Sequence, residues 1–488
     1  MAFVTSNFPT PPELPTGVRR STTREGSRVV IIGGGPGGYE AALVAAQLGA
    51  GVTLIEQQGL GGSAVLTDVV PSKTLIATAE WMTLTESSRE LGIRPTGGHD
   101  GTLEVDLNRV NDRVLNLASA QSRDIRARLQ REGVNLVDGT GRLDGPGAVI
   151  AQTDDGERRF GADVILVATG ARPRVLPTAE PDGERILTWK QMYDLKDPME
   201  RLIVVGSGVT GAEFAGAYNA LGVPVVLVSS RDRVLPGEDA DAAELIENVF
   251  RRRGMDVMSR SRAAAVRRVD GGVEVDLTDG QVITGSHCLL AVGGVPNSED
   301  LGLAEAGVNT TESGHIEVDR VSRTTVRGVY AAGDVTGLLP LASVAAMQGR
   351  IAMWHSLGDA VAPLDLRMVS ANIFTAPEIA TVGIPERAIT DQEVNGLVTM
   401  LPLARNPRAK MLGINEGFIK IFSHRSSGIV LGGVVVAPRA SELIFPITLA
   451  VNHRLTVDEV AAAFTIYPSL SGSIAEAARV LHAGPPVG

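Results

Sequence analysis

Residues 29–56 read VVIIGGGPGGYEAALVAAQLGAGVTLIE, and few stretches leave a chain less freedom. Val29–Ile32 is a continuous β-branched run, the mark of a strand buried on both faces. Gly33, Gly35 and Gly38 then spell G-x-G-x-x-G, and Ala and Leu recur at helical spacing from Glu40 to Leu48. A second apolar run, Gly51–Ile55, ends in Glu56, about 20 residues beyond the first glycine. Strand, glycine turn, helix, strand and acid, in that order, form the dinucleotide-binding fingerprint. The glycines let the turn close and let the backbone meet a pyrophosphate at the helix N-terminus. The acid accepts hydrogen bonds from a ribose diol.

The pattern recurs over residues 202–230, LIVVGSGVTGAEFAGAYNALGVPVVLVSS, with Gly206, Gly208 and Gly211 after a buried strand. Its second strand, Pro224–Val228, runs into Ser229, Ser230 and Arg231 rather than an acid. Small hydroxyls and an Arg suit a 2′-phosphate, which an acid would repel, so the site reads as one for NADPH, with NADH also admitted. The other reading leaves Arg231 and Arg233 as solvated surface charges. ILVATGARP (165–173) and LLAVGGVPN (289–297) each run from a buried strand into a glycine turn, where the chain crosses between domains. GVYAAGDVTG (328–337) sets Asp334 at a strand end before a helix, where its carboxylate suits a polyol such as ribityl. An isolated Asp there would be only a turn or N-cap residue. Further on, IVLGGVVVAP reads as a central strand, and ASELIFPITLAV and TVDEVAAAF read as helices.

At 488 residues the chain has room for two to four domains. A net charge of −11 argues against broad contact with nucleic-acid phosphates, so no nucleic acid is expected as a partner. The one cysteine, Cys288, excludes an internal disulfide and a Cys-based metal site, and no metal is expected. It lies in the apolar run HCLLAVGG as an inert small hydrophobe. No apolar run approaches the length of a membrane span. Residues 1–27 are rich in Pro and Thr without a sustained apolar segment; they read as a disordered tail rather than a secretory signal, and a cytoplasmic setting is expected.

In chain order, GGGPGG with Glu56, LGGS…PSK, VATG, GSGVTGAE, AVGGVPN, YAAGD and ANIFTAPEIATVG resemble the pyridine-nucleotide flavoprotein disulfide reductases over nearly all of 28–480. Within that family the chain is most similar to the cysteine-less, lipoamide-dehydrogenase-like NAD(P)H:quinone reductases. The resemblance implies an α/β protein with two Rossmann-like dinucleotide-binding domains and an α+β interface domain that makes a homodimer. The FAD domain would span 28–171, the NAD(P) domain 172–292, a segment completing the FAD site 293–366 and the interface domain 367–488. FAD would lie against Gly33, Gly35, Gly38, Glu56, Gly62 and Ser63, and against Lys73, Gly141, Thr169, Gly170, Asp334 and Ala342. The nicotinamide dinucleotide would lie against Gly206, Gly208, Gly211, Ser229, Ser230, Arg231 and Gly293.

The departures from that family are pointed. Residues 59–73 read GLGGSAVLTDVVPSK, so Ala64 and Val69 stand where the family carries its redox-active cysteines. YPSLSG places Tyr467 and Gly472 where the family brings a His-Glu pair from the partner subunit for thiol exchange. Tyr467 reads as interface packing, with a hydrogen bond to an acceptor carbonyl as the other reading. Lys73 and Glu213 survive at the positions of the family's flavin-side ion pair, and the resemblance makes them the catalytic pair; the bland reading is a structural ion pair. Val209 replaces a bulky gate found in some relatives, which leaves nicotinamide entry open. Electrons that would have passed to a dithiol must leave the flavin for another acceptor, and a planar quinone fits. A soluble transhydrogenase and a flavin-binding regulator that does not turn over are the alternatives.

Overall fold

The computed structural model describes residues 26–88, 91–93, 103–196 and 199–482, and the structural statements below concern those residues. The tail expected over 1–27 lies outside them, apart from Gly26 and Ser27.

The first fingerprint folds as its pattern requires. Arg28–Ile32 is the middle strand of a five-stranded parallel sheet, between Gly51–Glu56 and Val164–Val167, with Asn135–Asp138 and Val329–Ala331 at the edges. Ile32 lies opposite both Ile55 and Val167, so the strands end level and the chain leaves them along one edge. Side chains alternate between two cores. Ile31, Leu54 and Leu166 pack on Ala41, Ala42 and Ala45 of the helix Pro36–Gln47. Val30, Ile32, Ile165 and Val167 pack on Leu143, Val149 and Ala151 of a small antiparallel sheet. Each buried Val, Leu or Ile contributes roughly 1.5–3 kcal/mol, which is why these strands carry no polar alternation.

The helix begins at Pro36, earlier than its Ala and Leu spacing indicates, because tertiary contact outweighs the low helix propensity of glycine there. A Cβ on Gly38 would fall 1.8 Å from the Gly33 carbonyl oxygen. One on Gly349 would fall 2.1 Å from the Gly37 carbonyl oxygen. The helix Ala342–Leu357 therefore crosses the first helix at backbone contact, which brings Ala342 and Ala345 to the edge where the strands end.

The second fingerprint repeats the design. Leu202–Val205, every residue buried, is central in a parallel sheet ordered Asp256–Met258, Val225–Val228, Leu202–Val205, His287–Leu290, Ile186–Leu187. Cys288 lies in this sheet, fully buried, and burial pushes its thiol pKa far up. The third sheet is antiparallel, in the order Ser370–Ile373, Glu378–Gly383, Val430–Ala437, Phe418–His424, Gly396–Pro402. Val430–Ala437 is its central strand. The single helix expected over ASELIFPITLAV divides at Ile444, because Pro446 fits only the first turn of a new helix, Phe445–Asn452.

One ion cluster ties the second and third sheets together. The Lys420 side chain is 2% exposed, and its ammonium meets both Asp239 oxygens at 2.9 and 3.0 Å, Asp241 at 2.6 Å and Glu386. Burial alone would lower the lysine pKa, but three carboxylates together raise it. Among the described residues this is the one acidic trio close enough to hold a metal ion, and the ammonium already occupies its centre. Also among the described residues, no helix is long and apolar enough to cross a membrane.

Candidate active site

A cavity of about 460 Å³ opens where the first parallel sheet ends. Its walls include the residues that end or follow four strands: Gly33, Glu56 with Gln57, Ala168 to Gly170, and Ala332 to Asp334. This is the carboxyl edge, where open α/β sheets bind their ligands. Of the twelve residues expected at the FAD site, ten line the cavity: Gly33, Gly35, Glu56, Gly62, Ser63, Gly141, Thr169, Gly170, Asp334 and Ala342. Two do not. Gly38 lies beneath the glycine turn, where it permits the close approach to Gly33. Lys73 stands one turn beyond Val69 on the helix Val69–Ser87, off the cavity lining.

The glycines of the turn separate into two kinds. A Cβ on Gly33 would meet the Ala168 carbonyl oxygen at 2.3 Å, so packing requires that glycine. Gly35 is the N-cap, with φ −66°, and a Cβ there would meet nothing within 4 Å. The protein's own packing does not demand glycine at 35, and the turn is open over it. No side chain caps this helix; Pro36 carries no N–H and the Gly38 and Tyr39 N–H groups donate to the Gly35 carbonyl, which leaves the Gly37 N–H at the helix end to face an anion. Glu56 braces the turn, accepting from the Gly34 N–H at 2.6 Å and the Gln58 N–H at 2.7 Å. Asp334 follows Gly333 at the cavity wall, and burial raises its pKa against the lowering influence of His315. A turn open over Gly35, an uncapped helix end, an acid at the second strand and a second acid opposite together fit FAD.

The second site shows the same division. Cβ atoms on Gly206 and Gly211 would strike carbonyl oxygens at 2.2 and 1.8 Å, whereas one on the N-cap Gly208 would meet nothing within 4 Å. Its ribose end differs from expectation in one residue. Ser229 is fully buried, its Oγ 2.7 Å from Ser207 Oγ and accepting from the Arg231 N–H at 3.1 Å. That hydroxyl is spent on the turn, which leaves Ser230 and Arg231 exposed at the surface beside it. Arg233 Nε is buried without a hydrogen-bond partner among the described residues. Gly170 and Gly293 both take positive φ, +69° and +93°, at the two crossings. The crossings pair as an antiparallel ribbon, Ala171–Pro173 with Gly294–Pro296. Thr169 Oγ1 donates to the Asn297 carbonyl at 2.7 Å, and Asn297 Nδ2 returns a bond to the Thr169 carbonyl at 2.9 Å.

Lys73 and Glu213, 140 residues apart, meet at 2.8 Å. The Glu213 side chain is 4% exposed, and its other oxygen accepts from the Phe374 N–H at 2.8 Å. Lys73 Nζ also lies 5.1 Å from the centre of the Phe374 ring. The cation is thus fixed from three segments of the chain. Ala64 and Val69 line the cavity, and the one thiol of the chain is inside the other sheet. Tyr467 is exposed in the single chain, and Gly472 opens the helix Gly472–His482. Val209, at the start of the second fingerprint helix, is 42% exposed.

Several lining residues escaped the sequence reading, the charged Asp68 and Lys190 among them. Asp68 sits between Thr67 and Val69, and Lys190 lies on the short turn Trp189–Gln191. The available signal was an acid placed directly before VVPSK in an otherwise apolar run.

Two dinucleotide folds facing a common crossing, with a fixed cation near a thiol-free cavity, define an oxidoreductase class. The model for pyridine nucleotide-disulphide oxidoreductases matches residues 27–349, and that for the dimerisation domain of the same proteins matches 369–478. The chain belongs to the pyridine nucleotide-disulphide oxidoreductase family. It is 53% identical over 467 residues to an NAD(P)H dehydrogenase (quinone) of Mycobacterium tuberculosis, covering 94% of each chain. It is 34% identical to a dihydrolipoyl dehydrogenase of Chlorobaculum parvum, covering 92% of this chain and 96% of that one. The crystal structure of LpdA from M. tuberculosis matches with a TM-score of 0.89 at 53% identity, covering 93% of this chain and 99% of that one. RclA, a flavoprotein disulfide reductase from Escherichia coli, shares the fold, with a TM-score of 0.82 at 23% identity over 93% of this chain and all of that one.

Proposed function

We propose that this chain is an FAD-dependent NAD(P)H:quinone oxidoreductase without a redox-active dithiol. The observation that carries the reading is the Lys73–Glu213 pair, kept intact at 2.8 Å beside a cavity whose thiol positions are Ala64 and Val69. FAD, when bound, supplies the two-electron chemistry between NAD(P)H and the acceptor. The chain's own residues do the rest. The uncapped helix ends at Gly35 and Gly208 bind the two pyrophosphates, and Glu56 holds the first ribose. Lys73 Nζ, positioned by Glu213 and Phe374, holds positive charge where electron density accumulates. Ala64 and Val69 give the acceptor a small apolar wall that does not repel a quinone ring. Arg231, exposed at the end of the second site, favours NADPH. The interface sheet makes a homodimer, and the protein acts in the cytoplasm. The name of the M. tuberculosis relative, an NAD(P)H dehydrogenase (quinone), supports the same reading.

Steady-state assays of the pure holoenzyme test it. NADPH oxidation is expected with a soluble quinone, and none above background with oxidised lipoamide. The substitution Arg231→Glu is expected to raise KM for NADPH about tenfold while moving that for NADH much less, because only the former carries the 2′-phosphate. Comparable turnover with lipoamide would remove the reading.

A further inference from the structure

The family's acid/base pair is absent here, yet quinone reduction consumes a proton that some group has to deliver. Every carboxyl of the cavity lining is therefore a candidate. Glu56 is engaged by three backbone N–H groups, Glu299 and Asp300 are exposed with Glu299 paired to Arg172 at 2.7 Å, and Asp334 belongs to the cofactor wall. Asp68 remains. It is the N-cap residue of the helix Val69–Ser87, a place where Asp normally bonds the first-turn N–H groups, yet its carboxyl caps nothing. It accepts no side-chain hydrogen bond from the described residues. It lines the cavity together with Ala64 and Val69, the two positions that lost their sulfur.

We propose that Asp68 is the acid of the acceptor half-reaction, its carboxyl O–H giving up the proton that a quinone oxygen takes. The proposal rests on the quinone reading above. NADPH loses two electrons and one proton, and the quinone gains two electrons and two protons. The second proton passes through Asp68: its O–H bond breaks, an O–H bond forms on the quinone oxygen, and the carboxylate takes up one H⁺ from bulk solvent, the proton that the overall reaction consumes.

The surroundings suit that task. Burial pushes the Asp68 pKa up to about 6, with Glu213 and Asp334 adding to the rise. Lys73, on the same helix, and Lys190, across the cavity, pull the other way and favour the carboxylate once the proton has left. Burial also lowers the Lys190 pKa. A general acid serves best when its pKa lies near the working pH. The sign for stability is unfavourable. A carboxyl raised from 3.8 to about 6 leaves the fold at full stability below the lower value and weakens it as pH climbs through the upper one.

The test uses the holoenzyme and its variants Asp68→Asn and Asp68→Glu. NADPH-reduced protein is mixed with a quinone or with ferricyanide, which takes one electron and no proton. The ratio of quinone rate to ferricyanide rate is expected to fall about 100-fold in Asp68→Asn and to recover substantially in Asp68→Glu. A second readout needs no turnover: the visible band of bound FAD in the wild type is followed from pH 4 to 9. It is expected to shift with a midpoint near 6, as the adjacent carboxyl ionises, and to stay flat in Asp68→Asn. A quinone-to-ferricyanide ratio within threefold of the wild type, or a band shift that persists in Asp68→Asn, would overturn the proposal. A wild type that passes no electrons to quinone overturns the functional reading and this proposal with it. A wild type that does so, beside an equally fast Asn variant, overturns this proposal alone.

Discussion

Replacing Lys73 by methionine is expected to lower quinone turnover about 10²–10³-fold, the usual cost of deleting one pre-positioned electrostatic group. The purified variant is expected to keep its FAD, because Lys73 is off the cavity lining and the glycine turns are untouched. Methionine preserves the length of the side chain and its contact with the Phe374 ring, so lost charge is the main change. That loss has a second consequence. Glu213, with a side chain 4% exposed, keeps the Phe374 N–H but loses its cation. An unpaired buried carboxylate destabilises the fold by about 3 kcal/mol, near the lower end of what such single deletions cost. Two measurements separate the roles. Chemical denaturation of Lys73→Met and of Lys73→Met/Glu213→Gln reports the ion pair, and the double variant is expected to recover stability. Single-turnover kinetics report the cation, and the double variant is expected to remain slow. A single variant that melts early but turns over normally would make the pair structural only.

The second large effect concerns the glycines. Gly35→Ala is expected to yield a folded, colourless protein whose FAD affinity has fallen at least about 100-fold. Its φ of −66° is ordinary for alanine and the added Cβ meets nothing, so the fold has no reason to object. The pyrophosphate does, because its approach to the backbone is what that glycine leaves open. Gly38→Ala is expected to fail differently. Its Cβ would sit 1.8 Å from the Gly33 carbonyl oxygen, so the sheet and helix must part and the protein loses stability before it loses ligand. The same contrast holds between Gly208 and Gly211 for NADPH. Calorimetry with FAD on each refolded variant, paired with its melting curve, distinguishes the two behaviours. If Gly35→Ala binds FAD as tightly as the wild type, the cavity has been assigned wrongly.

These glycines also show how much of the molecule was legible in the sequence. A glycine turn between a β-branched run and a helix is a local device, and both fingerprints formed where their spacing placed them. The Lys73–Glu213 contact was legible only through resemblance, since nothing local links residues 140 apart. Orientation within turns was not legible at all. Ser229 reads as a surface hydroxyl until Ser207, 22 residues earlier, is seen to hold it inward. Lys420 looks out of place in FIKIFSH, an otherwise largely apolar strand. Three carboxylates from other segments make its burial possible, and no periodicity reports them. Asp68 was hidden for a related reason: an Asp before a helix reads as a cap, and only the fold reveals that it caps nothing.

The central claim is that electrons leave this flavoprotein for a quinone without passing through sulfur. Anaerobic double mixing with absorbance detection tests it most directly. The holoenzyme is first mixed with one equivalent of NADPH, then with a quinone, NAD⁺ or oxidised lipoamide, and the yellow band of the flavin is followed. The band is expected to bleach on the first mix and to return rapidly with quinone alone. Rapid return with NAD⁺ would instead make the protein a transhydrogenase. Return with lipoamide as fast as with quinone, or no bleaching by NADPH, would contradict the account.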